Sequence, residues 1–152
     1  MAQKLPLDLL IELARDKTDD AARRLGALQS AQLSATQKLG ILVQYRQDYL
    51  AQLQVLMQQG VSTSQWFNYQ DFLTTLDGAI AQQRGIAQQA DLRLEHGRND
   101  WQQNKRRLNS FDTLAERARR QAQMVQAKRE QRDSDERAAR QFFVAKQAAS
   151  AQ

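Results

Sequence analysis

Read from Leu7, apolar or small residues recur at every seventh position: Leu7, Ala14, Ala21, Leu28, Ala35, Leu42, Tyr49 and Leu56. A second series, Ile11, Thr18, Leu25, Gln32, Leu39, Arg46 and Leu53, interleaves with the first. The gaps alternate between three and four residues, which holds one stripe of a helix against one partner helix and favours left-handed supercoiling. The pattern persists for about seven heptads, well past the three or four that separate a coiled coil from an ordinary amphipathic helix. It stops at Gln58-Gln59-Gly60-Val61-Ser62-Thr63-Ser64. Glycine there suits a left-handed helix cap, and Ser62 with Gln65 has the spacing of a capping box at the start of a new helix.

After the break the heptads resume with Trp66, Leu73, Ile80, Ala87, Leu94, Trp101, Leu108, Ala115 and Ala122. Their companions are Tyr69, Leu76, Gln83, Ala90, Gly97, Asn104, Phe111, Ala118 and Val125. Continued further, the register would place Arg129 and Arg132 in the seam, so beyond about residue 125 the basic tail is expected to fray into a single helix or become disordered. A turn this short makes the two helices antiparallel, and folding near residue 61 makes partner numbers sum to about 122. Leu56 then meets Trp66, Leu53 meets Tyr69, Leu42 meets Ile80 and Leu28 meets Leu94. Large falls against small where Ala21 faces Trp101, Leu25 faces Gly97 and Ala14 faces Leu108, while Thr18 and Asn104 pair as polar residues. Close packing needs that matching. The expected fold is all-α, a long antiparallel two-helix coiled coil. Its helix 1 spans about 7–58, its turn about 59–64 and its helix 2 about 65–145, in an arm roughly 75–80 Å long at 1.5 Å per residue.

Composition agrees with a narrow seam rather than a thick core. Of 152 residues 41% are hydrophobic and 26% charged, and the single proline, Pro6, leaves the rest of the chain free to be helical. Cysteine is absent, so there is no disulfide framework or thiolate metal site, which fits a reducing compartment. No charged-then-apolar leader opens the chain and no apolar run approaches the roughly 20 residues that span a bilayer, so a cytoplasmic protein is expected. The net charge is +5. Basic and acidic residues nearly cancel as far as Ala115. The excess lies beyond it, in Arg117, Arg119, Arg120, Lys128, Arg129, Arg132, Arg137 and Arg140. Such a tail attracts nucleic acid, an anionic membrane or acidic proteins, or else forms a solvated helix of mixed charge.

Candidate chemistry is sparse. His96 is the only histidine and has no ligand companion at metal-binding spacing. Asp19-Asp20 and Asp133, Asp135 and Glu136 sit on helix faces, where no desolvated cleft can tune them for acid–base work. The glycines are single and scattered, with no phosphate-cradling loop. No enzyme, cofactor, metal or small-molecule substrate is expected. What remains is aromatic content near the turn: Tyr49, Trp66 and Tyr69 on the seam, and Tyr45, Phe67 and Phe72 off it. Aromatics off the seam either broaden a thin hairpin end or mark a partner surface.

Those residues carry a resemblance. The string Ile41-Leu42-Val43-Gln44-Tyr45-Arg46-Gln47-Asp48-Tyr49, then Gly60-Val61, then the run from Trp66 to Leu76 with Phe67, Tyr69 and Phe72, resembles the FliJ family of flagellar export proteins. So does Asp19-Asp20-Ala21-Ala22-Arg23-Arg24-Leu25-Gly26. The likeness is densest over residues 17–83. It implies a coiled coil like the stalk of rotary ATPase γ subunits, working in the bacterial flagellar type III export apparatus. It further implies three partners: the export ATPase hexamer, whose assembly the stalk promotes, a membrane-embedded export gate protein, and substrate-specific export chaperones. A cytoplasmic location, peripheral to the inner membrane at the flagellar base, goes with them. The gate-contact surface implied for this chain is Leu42, Tyr45, Tyr49, Phe72, Leu76, Ala79 and Gln83, with Lys38 at its edge. Leu42, Tyr49 and Leu76 also belong to the seam.

Two rivals stand beside this reading. A stalk of a virulence secretion system would share the architecture. A nucleic-acid-associated coiled coil would explain a pI near 9.9, but the basic tail is interrupted by acidic residues and has no aromatic stacking surface.

Overall fold

The structure is a computed structural model that describes residues 6–151; the opening Met1–Leu5 stretch, with its expected lack of a leader, lies outside the described residues. The described chain is two helices, α1 (Pro6–Gln59) and α2 (Thr63–Ser150), packed together as an all-α helical hairpin. Helix α1 opens on a proline, whose fixed φ suits the first helical position and whose missing N–H would have no partner there. Asp8 in its first turn complements the positive end of the helix dipole. Both helices extend slightly past their expected limits, and the connection narrows to Gly60, Val61 and Ser62.

That connection is built from local chemistry. Gly60 has φ +95, a left-handed conformation that costs residues with a Cβ far more than glycine. Ser62 then starts α2 through a reciprocal pair of bonds. Its Oγ accepts the Gln65 backbone N–H at 3.2 Å, and its own N–H donates to Gln65 Oε1 at 3.3 Å. The capping box read from the spacing is therefore formed. Val61, before the cap, and Trp66, in the first turn, hold the positions of a hydrophobic staple and line one small open pocket with Met57, while Trp66, expected on the seam, is exposed.

Contacts divide the chain into two compact units, Arg15–Arg106 and a second made of Met1–Ala14 with Arg107–Gln152. In the first, Ala21, Ala35, Leu53, Leu73, Leu76, Ile80, Ala87 and Leu94 are buried, all of them seam positions. Polar bonds cross between the helices along its edges: Arg24 to Asp100 at 3.0 Å, Gln32 to Asp91 at 3.1 Å, and Arg46 to Asp77. Arg46 is a seam residue whose long stem lies half-buried while its guanidinium reaches out to the carboxylate. Gly97 is approached by Leu28 more closely than by the expected Leu25. A Cβ built on it would lie 2.5 Å from Leu28 Cδ1 and 3.8 Å from Leu25 Cδ1. A knob in a coiled coil enters a hole formed by several residues, so opposition by number identifies the hole but not which leucine fills it.

In the second unit Ile11, Ala14 and Leu108 form a buried cluster flanked by Leu7, Phe111 and Ala115. These are the partners expected from the fold line. The seam ends there. Ala118, Ala122 and Val125, expected to continue it, are exposed, as is every described residue after Ala115. Leu7, the first described seam residue of α1, and Ala115 flank the same buried cluster. The rest of α2 remains helical to Ser150 as a single solvated helix with Arg129 and Arg132 exposed. Glu116 pairs with Arg119 and Arg120 along this helix at 3.4 Å, exposed contacts of small energetic weight.

Candidate partner interface beside the turn

Near the turn the buried stripe widens. Besides the seam, Val43, Leu50, Phe72 and Ala79 are half-buried, so both helices turn more of their circumference inward than heptads require. The aromatics explain the widening. Tyr49, a seam residue of α1, meets the ring of Phe72 on α2 at 4.4 Å between centroids and that of Tyr69 at 4.9 Å. Tyr45, one turn earlier, meets Phe72 edge-on at 6.0 Å. Tilted and edge-on rings align positive edges with negative faces, which adds to the apolar burial. Phe72 thus sits off the heptad series yet inside the stack.

Desolvation raises the pKa of the Tyr49 hydroxyl above its ordinary 10.0, and the nearby Tyr69 and Tyr45 hydroxyls add to the effect. The phenol stays neutral through the physiological range and offers a hydrogen-bonding edge on an apolar cluster.

The seven residues implied by resemblance fall into three environments. Leu76 is 6% exposed and belongs to the core. Leu42, Tyr49, Phe72, Ala79 and Gln83 are half-buried, and Gln83 donates from Nε2 to the backbone carbonyl of Ala35 at 3.1 Å. Tyr45 is 53% exposed and offers the most free surface. The edge residue Lys38 is exposed. Tyr45, Tyr49 and Phe72 are brought into one cluster, whereas Leu76 is withheld from the surface by its packing.

The seam pattern draws attention away from the outer face of α1. Gln37, Gly40, Ile41, Gln44, Tyr45 and Asp48 line an open groove there, with Ile41 68% exposed at its centre. A second groove, nearer the turn, is lined by Ala51, Gln52, Val55, Leu56 and Tyr69. Gln37, Gly40, Ile41 and Gln44 have the i, i+3, i+4, i+7 spacing that surrounds a knob in helix packing, a signal present in the sequence but masked by the stronger seam series. Phe67, beside the turn, is 60% exposed. Among the described residues no cluster of three or more His, Cys, Asp or Glu is placed to hold a metal, and no helix is long and apolar enough to cross a membrane.

A family model described as "Flagellar FliJ protein" matches residues 3–147 of the chain. The chain belongs to the FliJ family. Flagellar FliJ proteins of Salmonella typhi and of Escherichia coli strain K12 are each 34% identical to it over 140 residues, spanning 92% of this chain and 95% of each relative. The likeness therefore extends well beyond residues 17–83, through the seam of both helices and into the solvated part of α2. FliJ membership makes the chain a component of flagellar protein export.

Proposed function

We propose that this FliJ-family chain is a non-enzymatic stalk of the export ATPase ring that promotes ring assembly, contacts the membrane export gate and escorts emptied export chaperones. The observation that carries the reading is the half-exposed Tyr45–Phe72–Tyr49 stack beside the turn. Large rigid aromatics at a partly exposed position are the side chains that most often anchor protein interfaces. On this reading Leu42, Tyr45, Tyr49, Phe72, Ala79 and Gln83 form the gate-facing surface. Leu76 supports it from beneath. The N-terminal turns of α1 and the basic continuation of α2 serve the ATPase ring, since surplus Lys and Arg speed encounter with any acidic surface.

The test is to measure gate binding and ATPase stimulation in parallel for Tyr45→Ala and for a chain ending at Glu116. The reading expects Tyr45→Ala to weaken gate binding at least tenfold, about 1.4 kcal/mol, with ATPase stimulation kept. The shortened chain should show the reverse. If Tyr45→Ala leaves gate binding intact, the stack is core and the reading fails. If the two activities respond the other way round, the regions have been assigned to the wrong partners.

A further inference from the structure

We infer that the hairpin contains a built-in joint at the level of Gly40 and Gly85, about which the turn-proximal part, residues 41–84, bends relative to the rest of the Arg15–Arg106 unit. Three independent features meet at this level. The first is the glycines. Both lie deep inside long helices, and a Cβ added at either would meet nothing within 4 Å, so packing does not require glycine as it does at Gly97. Glycine in a helix interior lowers local helix stability and eases bending. The Gln83–Ala35 bond places the two helices in register here, which puts Gly40 and Gly85 within about one turn of each other. Both helices are thus softened at the same place.

The second feature is the seam. Apart from Leu39, its layers at this level are small or polar: Ala35 and Ala87 are the buried residues, and Gln32, Gln83 and Ala90 complete the stripe. Toward the turn it is filled by Leu53, Leu73, Leu76 and Ile80, and on the other side by Leu28 and Leu94. A layer of alanine and glutamine buries less apolar surface and resists bending less than a layer of leucine.

The third feature is the backbone. The Ala35 carbonyl, within the α1 hydrogen-bond ladder, also accepts the Gln83 amide. Side chains that share ladder carbonyls weaken those rungs and bend helices. The six residues of the candidate gate surface, and Leu76 beneath them, all lie between Gly40 and Gly85 in the chain, so bending here re-aims that surface without repacking the remainder. The inference rests on FliJ membership in export and not on which partner the surface takes.

Hydrogen exchange on the full chain, followed by a swimming assay, tests the joint. Amides in residues 36–42 and 82–88 should exchange at least tenfold faster than those in the glycine-free segments 46–54 and 98–105. Gly40→Ala combined with Gly85→Ala should slow that exchange by about fivefold in each segment, since each replacement is worth about fivefold in local helix stability. Gly26→Ala, also unobstructed, should leave it unchanged. Cells whose only copy is the double variant should swim more slowly, while cells carrying Gly26→Ala swim normally. Uniform exchange across these segments overturns the joint. Slowed exchange with normal swimming overturns its use in export.

Discussion

Gly97 provides a quantitative check on how the two helices interlock. A Cβ placed there would lie 2.5 Å from Leu28 Cδ1, against roughly 3.5–4.0 Å for relaxed carbon–carbon contact. In Gly97→Ala the leucine tip must retreat by at least about 1 Å. Leu28 is half-buried and its methyl is the far end of a flexible side chain, so the cost should fall within the usual overpacking range of about 1–3 kcal/mol. Replacing glycine by alanine inside a helix returns about 1 kcal/mol. The net effect is therefore between neutral and about 2 kcal/mol destabilising. Gly26→Ala makes the same chemical change with nothing within 4 Å and should stabilise by about 1 kcal/mol. The comparison cancels propensity and isolates the clash. At about 2–4 °C per kcal/mol for a chain of this size, the two variants should separate by several degrees in thermal unfolding followed by circular dichroism. Leu28→Val should restore part of the loss in the Gly97→Ala background, giving a coupling energy in a double-mutant cycle. Equal stabilisation by Gly97→Ala and Gly26→Ala would refute the placement of Leu28 over Gly97.

Other outcomes follow from the same contacts. Phe72→Ala should destabilise the hairpin by about 2–3 kcal/mol as well as weaken partner binding, because its ring packs on both Tyr49 and Tyr45; denaturant unfolding beside a binding titration separates the two losses, and unchanged stability would show the stack to be ornamental to the fold. The raised pKa of Tyr49 means that the folded state holds its phenolic proton more tightly than the unfolded chain. That contribution is complete below pH 10 and is lost as pH climbs through the raised folded value. Tyr49→Phe should flatten the alkaline fall in Tm relative to the parent chain, and an identical fall in both would contradict desolvation at this hydroxyl. Removing residues 117–152 should lower helical signal yet leave Tm within about 2 °C, because every described residue past Ala115 is exposed; a large drop would reveal packing on that helix.

The heptad series determined the fold class, the buried face of each helix and the site of reversal. A period of 3.5 residues has one structural solution, and Gly60 followed by Ser62 and Gln65 has one as well. Burial follows that series from Leu7 to Leu56 and from Tyr69 to Ala115. The end of the seam was not legible, because Ala118, Ala122 and Val125 keep the apolar character of the series yet are exposed in the structure. Periodicity records which residues a helix could bury, not whether a partner stands opposite. Only the tertiary structure decided the remaining features. Leu28 rather than Leu25 lies closest to Gly97 because knobs enter holes at an offset that residue numbers do not carry. Phe72 enters the stack because the Tyr49 and Tyr69 rings are too large for a two-residue layer and force both helices to widen their contact. Leu76 as core and Tyr45 with half its surface free were already legible, because the seam series includes the one and skips the other. Phe72, off the series like Tyr45, is half-buried instead, because the fit of side chains across the pair, which residue spacing does not carry, decides how far a position beside the seam is covered.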